Sequence, residues 1–229
     1  MRKLIIIPAY NEEACIEQTV RRIKEEAPDF DYIIINDCST DRTREICESQ
    51  HFNVLNLPVN LGIGGAVQTG YQYALRHGYD LAVQMDGDGQ HDPKYLKEMA
   101  DCMEQGKYNL VIGSRFIEKE GFQSSVTRRM GIRFFEHLIH FLTGVVITDP
   151  TSGMRMADRE VIRLFAMDYP KDYPEPESVV TLLRKGMKVR EVPVQMRARE
   201  GGVSSISSSD AIYYMVKVSI AVCIAAWRQ

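Results

Sequence analysis

The segment Leu81-Ala-Val-Gln-Met-Asp-Gly-Asp-Gly-Gln-His-Asp-Pro93 joins a short apolar run to an acidic, glycine-rich turn. The apolar run predicts a buried strand that ends at Asp86 and Asp88. Two carboxylates on one turn can share a divalent cation, and the glycines allow a substrate to approach closely. A solvated acidic turn is the alternative, because Asp and Gly favour turns for conformational reasons. The choice between the two depends on the rest of the chain.

Around this segment, apolar runs alternate with segments of helical spacing. Continuous β-rich runs separated by helices predict an α/β fold with a mostly parallel central sheet flanked by helices. The predicted strands are Lys3–Ile7, Tyr32–Asn36, Asn53–Leu57, Leu81–Met85, Asn109–Gly113 and Lys188–Arg197. The predicted helices are Glu13–Glu26, Asp41–Gln50, Ile63–His77, Pro93–Gln105, Met130–Leu142, one near Asp158–Phe165, and Glu177–Lys185. Ligands bind such sheets beyond the carboxyl ends of the strands.

Composition indicates one cytoplasmic domain. The 229 residues include 28 basic and 31 acidic side chains, and this balance gives no reason to expect nucleic acid as a partner. The five cysteines form no CxxC pair, which is typical of reduced thiols. The first apolar run ends at Pro8 and is too short for a secretory signal, so we expect a cytoplasmic protein.

We expect residues 1–205 to form the catalytic domain. The composition of residues 206–229 predicts a separate, apolar helix. The run Ala211–Trp227 is close to the lower limit for crossing a bilayer, which takes about 20 apolar residues. Its tyrosines at one end and Trp227 at the other suit a peripheral membrane contact. A core helix or a contact between copies in a homo-oligomer is the alternative.

Polar residues follow the other strands. Asp37 could accept hydrogen bonds from a base or a ribose, whereas Asp41 is interpreted as a helix cap. The glycines of Asn60–Gly65 could expose backbone N–H groups to a phosphate. Arg115 could form charge-assisted bonds with phosphate oxygens, although an arginine there can also be a plain surface residue. His91 is interpreted as a residue that starts the next helix.

In this order the motifs resemble glycosyltransferase family 2, and within it the polyprenyl-phosphate, dolichol-phosphate mannose synthase-like sugar transferases. The second motif of the family usually has two aspartates, whereas this chain has Asn36 before Asp37, which leaves the choice between UDP and GDP open. The resemblance runs from about Leu4 to Ser204 and rests on Pro8-Ala9-Tyr10-Asn11-Glu12, Asn36-Asp37-Cys38-Ser39-Thr40-Asp41, Asp86-Gly87-Asp88-Gly89-Gln90, Gly113-Ser114-Arg115, Asp149-Pro150-Thr151-Ser152-Gly153-Met154-Arg155 and Arg199-Glu200-Gly201-Gly202-Val203-Ser204.

The resemblance implies a GT-A type domain that uses Mg²⁺ or Mn²⁺ for inverting transfer of a hexose. The implied donor is a nucleoside-diphosphate sugar, with a UDP-sugar favoured, and the implied acceptor is a polyprenyl phosphate at the cytoplasmic face of the membrane. The implied metal ligands are Asp86, Asp88 and Gln90. The expected nucleotide and phosphate contacts are Pro8, Tyr10, Glu12, Asp37, Asn60, Gly62, Gly64, Arg115, Arg128 and Arg199.

The acceptor decides which side chains must act as catalytic groups. A phosphate monoester is already largely ionised, since its second pKa is about 6, and it needs cations rather than a base. Arginines are plentiful for this purpose: Arg115, Arg128, Arg129, Arg133, Arg155 and Arg199. A saccharide hydroxyl would require a carboxylate base, for which Asp149, Glu175 and Glu177 are the candidates.

Two alternatives to the polyprenyl-phosphate reaction therefore stay open. The first is a soluble transferase acting on a saccharide hydroxyl, and the second is a non-catalytic protein that binds a nucleotide-sugar. The Pro-Glu-Pro-Glu stretch that ends at Glu177 departs from the pattern expected of the polyprenyl-phosphate branch. Its proline and acidic residues also suit the first turn of a helix.

Overall fold

The structure, a computed structural model, describes residues 1–118, 126–197 and 210–227, without the side chains of 126–128 and 210–214. The strands are β1 (Lys3–Ala9), β2 (Asp31–Asn36), β3 (Val54–Asn56), β4 (Leu81–Gln84), β5 (Leu110–Ser114), β6 (Arg155–Asp158) and β7 (Val189–Pro193). The α-helices are α1 (Ile16–Glu26), α2 (Thr43–Ser49), α3 (Gly62–Arg76), α4 (Leu96–Gly106), α5 (Val126–Thr143), α6 (Arg159–Met167), α7 (Pro174–Arg184) and α8 (Asp210–Trp227).

The strands form one sheet in the order β3-β2-β1-β4-β6-β5-β7. All neighbouring pairs are parallel except those of β6, which runs antiparallel to both β4 and β5. The predicted α/β class with a mostly parallel sheet is confirmed. β6 was not predicted, because its four residues begin and end with the charged Arg155 and Asp158 and show no apolar run.

Both faces of the sheet are buried. In β1, Leu4 and Ile6 contribute to the core beneath α3 and α6, whereas Ile5 and Ile7 contribute to the core on the opposite side, with α1 and α4. All four side chains are fully buried, and each such burial stabilises the fold by about 1.5–3 kcal/mol. This two-sided burial explains why the strand reads as a continuous apolar run.

Helix α7 begins earlier than predicted, at Pro174. The preceding Tyr173 has a left-handed backbone with φ 50°, and the proline occupies the first turn, where its missing N–H costs nothing. This start places Glu175 and Glu177 in the first turn, where acidic side chains are favoured by the helix dipole. The predicted role of the Pro-Glu-Pro-Glu stretch in helix initiation is therefore confirmed.

Helix α8 packs against α5 and α7, so part of the predicted C-terminal helix belongs to the main core. Its buried side is formed by Val218, Val222, Ala225 and Ala226. Its other side exposes Val216, Ile220, Ile224 and Trp227. Across the described ranges, no helix is both long enough and apolar enough to cross a membrane.

Candidate active site

The turn that follows β4 holds its two aspartates by hydrogen bonds. The Asp86 N–H donates to His91 Nδ1 at 3.0 Å, and Asp86 Oδ1 accepts from Gln84 Nε2 at 3.1 Å. Asp88 is buried, and its Oδ1 accepts from the Gln90 N–H at 3.0 Å. The side chain of Asp86 remains 39% exposed. The Asp86 carboxylate is thus accessible to a ligand, and hydrogen bonds fix the orientation of both carboxylates.

His91 has a role that its interpretation as a helix start missed. The ring is buried, and Nδ1 accepts the Asp86 amide, so the proton of the neutral ring lies on Nε2. Nε2 is 3.9 Å from Asp86 Oδ2. Asp92 instead starts the helical turn, since its Oδ1 accepts from the Lys94 N–H. The position of His91 directly after Gln90, the last residue of the Asp86–Gln90 motif, could have indicated this contact with Asp86.

Close packing explains why two positions around the turn are occupied by glycine. A Cβ at Gly87 would lie 3.2 Å from Pro8 O and 3.4 Å from Glu12 Cγ. A Cβ at Gly153, before β6, would lie 3.1 Å from Asp86 Oδ2. The turn therefore lies directly against the end of β1. Two of the residues expected to bind the nucleotide, Pro8 and Glu12, adjoin the aspartates, while Tyr10 is exposed beside them.

Asp37 and the Asn60 loop are brought together, as expected from their places after β2 and β3. Asp37 is buried, and its Oδ1 accepts from the Leu61 N–H at 2.7 Å. Asn60 Nδ2 donates to Asp37 O at 3.2 Å, and its Oδ1 accepts from the Gly62 N–H at 3.0 Å. Burial raises the pKa of Asp37, and hydrogen bonds from the Leu61 and Gly62 amides oppose that rise.

The expectation that the loop amides face a phosphate is wrong for Gly62 and Gly64. The Gly62 amide donates to Asn60, and the Gly64 amide donates to Lys171 O at 3.1 Å. A Cβ at Gly64 would overlap the carbonyl oxygens of Pro170 and Lys171. The glycine thus lets α3 approach the segment before α7, and the loop as a whole positions Asp37.

Asn36, where the family usually has an aspartate, joins the ends of β2 and β3. Its Nδ2 donates to Asn56 Oδ1 at 2.7 Å, and its Oδ1 accepts from the Ser39 N–H at 3.2 Å. An aspartate could accept but could not donate at this position. Asp41 Oδ1 accepts from the Thr43 N–H, the first amide of α2, at 2.9 Å, although the N-cap position itself is occupied by Arg42.

Arg115 and Asp149 form a buried, bidentate ion pair. Arg115 Nε lies 2.6 Å from Asp149 Oδ2, and Nη2 lies 2.6 Å from Oδ1. The Arg115 backbone N–H also donates to Oδ2 at 3.1 Å, and Asp149 is 0% exposed. Burial would lower the pKa of Arg115, but hydrogen bonds and charge from Asp149 outweigh it and raise the pKa. The prediction of Asp149 as a general base is wrong, because this carboxylate is enclosed and serves to hold Arg115.

The structure also corrects the prediction for Arg155. Its guanidinium is buried and donates to the carbonyl oxygens of Ser152, Pro150 and Glu175 and to Ser178 Oγ. These bonds join β6 to α7, so Arg155 is a structural residue rather than a phosphate ligand. Among the other predicted cations, Arg129 and Arg133 are exposed on α5. The Arg128 side chain and all of Arg199 lie outside the described residues.

Glu175 is a candidate base that the structure leaves in place. It is half-buried in the first turn of α7. Burial is the main cause of its raised pKa, the positive charges of Arg155 and Arg115 lower it, and the negative charge of Asp86 raises it. These interactions place the carboxyl within electrostatic range of both the metal-binding turn and the Arg115–Asp149 pair. A carboxyl with a raised pKa is a better proton acceptor than an ordinary glutamate.

The donor set fits a cation that is shared with a diphosphate. In the part of the chain that the structure describes, no three His, Cys, Asp or Glu side chains are grouped to hold a metal. Asp86 and Asp88 supply carboxylate oxygens on one turn, and Mg²⁺ is commonly held by one or two carboxylates together with substrate phosphates. The turn therefore suits a metal whose remaining ligands come from the substrate.

The fold is shared with glucosyl-3-phosphoglycerate synthase from Mycobacterium tuberculosis. Its complex with phosphoglyceric acid has a TM-score of 0.76 at 20% sequence identity, over 100% of this chain and 81% of that one. Its complex with Mn²⁺, uridine-diphosphate and phosphoglyceric acid has a TM-score of 0.73 at 21% identity, over 98% and 78% of the two chains. The shared fold agrees with the GT-A type expected from the motifs.

Sequence comparison identifies the family. The polyprenol monophosphomannose synthase of Mycolicibacterium smegmatis is 31% identical over 228 residues, which are 95% of this chain and 86% of that protein. The undecaprenyl-phosphate mannosyltransferase of Micrococcus luteus is 31% identical over 216 residues, 90% and 88% of the two chains. The family model for Glycosyl transferase family 2 matches residues 4–165. The chain therefore belongs to glycosyltransferase family 2, and it is a glycosyltransferase homologous to polyprenyl-phosphate sugar transferases.

Proposed function

We propose that the protein transfers a hexose from a nucleoside-diphosphate sugar to a polyprenyl phosphate, with inversion and with Mg²⁺ or Mn²⁺ as the cofactor. The observation that carries this proposal is the common edge of the sheet, where the Asp86–Asp88 turn, the Asp37 loop and the Arg115–Asp149 pair follow β4, β2 and β5. Carboxyl ends of parallel strands are where such sheets bind ligands. The names of the M. smegmatis and M. luteus relatives support the acceptor.

On the donor side, Asp86, Asp88 and Gln90 would hold the cation, and Asp37 would accept hydrogen bonds from the base or ribose. When bound, the cation supplies Lewis-acid stabilisation of charge on the leaving diphosphate. The presence of Mn²⁺ and uridine-diphosphate in complexes of the M. tuberculosis enzyme, which shares the fold, supports a UDP-sugar as donor. Pro8, Tyr10 and Glu12 are proposed to border the nucleotide.

On the acceptor side, cations rather than a base would position the attacking group. A phosphate monoester is ionised above its second pKa of about 6 and can attack without losing a proton to the protein. Arg115 is proposed for this role: its side chain is 8% exposed, and Asp149 holds it rigidly through Nε and Nη2. Arg128 and Arg199 stay predictions for the same role.

The decisive experiment is a donor and acceptor panel. Purified full-length protein is incubated with UDP- and GDP-hexoses and Mn²⁺, with and without a short polyprenyl phosphate, and the products are identified by mass. A hexosyl phosphoprenol as product supports the proposal. Transfer to a soluble saccharide in place of the lipid, or absence of any transfer across the panel, contradicts it.

A second candidate function, transfer to a saccharide hydroxyl, is favoured by Glu175 alone. As a base it must be ionised, so its raised pKa predicts that hydroxyl transfer declines as the pH falls through that raised value. In this alternative, Glu175→Gln lowers kcat by about 10²–10⁴-fold. With a polyprenyl phosphate acceptor, we expect the same change to lower kcat less than about tenfold, since no base is needed.

The matched control for Glu175→Gln is Glu160→Gln. Glu160 is also in the first turn of a helix, α6, but it is exposed, and α6 begins beside Leu81, at the end of β4 opposite to the turn. Initial rates of all three proteins are compared from pH 5 to pH 8, a range of about three units that spans the second phosphate pKa. A large loss in Glu175→Gln alone, with lipid acceptor, would favour the base mechanism.

We also propose a peripheral contact with the cytoplasmic face of the membrane. Phe141 on α5 is 85% exposed and Trp227 on α8 is 84% exposed. Together with Leu142, Ala226 and the cationic Arg184 they line one open cleft. Apolar and aromatic side chains beside a cation suit the boundary of an anionic bilayer.

The Phe141→Ser, Trp227→Ser double variant is expected to bind vesicles containing anionic phospholipid at least about tenfold more weakly, because each large apolar side chain contributes roughly 1.5–3 kcal/mol when buried. Sedimentation with the vesicles measures this. Met167→Ser is the control, since Met167 is 80% exposed on α6, away from the cleft. Unchanged sedimentation together with loss of a dimer in gel filtration would instead assign this surface to a homo-oligomer.

A further inference from the structure

Arg197, which follows β7, is bonded to the far end of the metal-binding turn. Its backbone N–H donates to Gln90 O at 3.0 Å, and Gln90 Nε2 reaches Arg197 O at 3.5 Å. Its guanidinium donates to Asp92 Oδ2 from Nε at 3.2 Å and from Nη2 at 3.0 Å. Main chain and side chain of one residue thus hold both Gln90 and Asp92.

The guanidinium also joins the turn to helix α1. Its Nη2 lies 3.7 Å from Glu26 Oε1 at the end of that helix. Asp92 is buried, and it retains the Lys94 ammonium at 3.4 Å as a second partner. Removal of the Arg197 charge therefore leaves Asp92 with a cation. We expect such a variant to fold with a loosened turn.

We propose that Arg197 is a positioning residue for the active-site cation, an inference that rests on the proposed function. The turn contains Gly87 and Gly89, the latter with φ 73°, so its own backbone provides little stiffness. The guanidinium bonds to Asp92 hold the Arg197 main chain against the turn, and Gln90 Nε2 donates to Arg197 O there. This bond points the nitrogen of the Gln90 amide at Arg197 and its oxygen away from Arg197, as a ligand to the cation requires. Residues that orient metal ligands typically change metal affinity by about 10–100-fold when they are replaced.

The test measures Mn²⁺ binding directly. Free Mn²⁺ is followed by electron paramagnetic resonance in titrations of the full-length protein with saturating UDP. Arg197→Gln is expected to raise the Mn²⁺ Kd about tenfold or more. Arg197→Lys, which keeps the charge but loses the paired donors, should lie between this variant and wild type. Arg190→Gln, an exposed arginine on β7, is the matched control and should leave the Kd unchanged.

The outcomes separate this inference from the proposed function. A lowered Tm in Arg197→Gln with an unchanged Mn²⁺ Kd would show that Arg197 is a purely structural residue. This result would overturn the inference about Arg197 but not the proposed function. Wild-type protein that binds no Mn²⁺ with UDP would overturn both. If Arg197→Gln does not fold, Asp92→Asn weakens the same contact from the other side and must weaken Mn²⁺ binding for the inference to hold.

Discussion

Asp88→Asn is expected to lower the rate of sugar transfer by about 10³-fold while the protein remains folded. The asparagine Oδ1 can still accept the Gln90 amide that Asp88 binds at 3.0 Å, so the turn keeps its shape. The negative charge that would bind the cation is lost, however, and removal of one preorganised electrostatic contact typically costs about 10²–10³ in kcat. Initial rates at saturating Mn²⁺ and the midpoint of urea unfolding are the two measurements.

Asp101→Asn provides the matched control for this prediction. Asp101 is a half-exposed aspartate on α4, paired only with Lys97 on the same helix among the contacts of the described chain. Its replacement should leave the rate unchanged. If Asp88→Asn retained more than about a tenth of the wild-type rate, the assignment of Asp88 as a metal ligand would be wrong. An intact biological output with Asp88→Asn would favour the non-catalytic alternative.

Asp149→Ala is expected to lower the free energy of unfolding by about 3–5 kcal/mol. Arg115, which is 8% exposed, would lose the carboxylate that accepts its Nε, Nη2 and backbone N–H groups. An uncompensated charge in such surroundings is far costlier than the absence of both charges. Urea unfolding measures the loss, and Asp168→Ala, at an exposed aspartate after α6, should change stability by less than about 0.5 kcal/mol.

The double variant Arg115→Met, Asp149→Leu distinguishes the ion pair from a catalytic base. Because both charges are removed together, we expect it to recover most of the stability lost in Asp149→Ala. It should nevertheless be inactive with a polyprenyl phosphate acceptor, since the cation that would face the acceptor phosphate is gone. Asp149→Ala with wild-type stability and strongly reduced kcat would contradict this account and restore Asp149 as the base.

The predictions from sequence succeeded where the determining interactions are local. The apolar run of β1 and the run that ends at Gln84 each specify a buried strand by their own composition. Pro174 and the acidic residues after it suit the first turn of α7 for reasons that lie within that turn. β6 was missed because its burial depends on β4 and β5, which flank it in the sheet and lie elsewhere in the sequence.

The amino-acid sequence by itself determined the fold class, the family and the turn with Asp86 and Asp88, since strand periodicity and short motifs are properties of neighbouring residues. Only the tertiary structure decided how individual side chains are used. Asp149 is paired with Arg115 across 34 positions, and Arg197 meets Gln90 across 107. A carboxylate or a guanidinium is a catalyst, a ligand or a structural partner according to the groups that surround it, and those groups are brought together by folding.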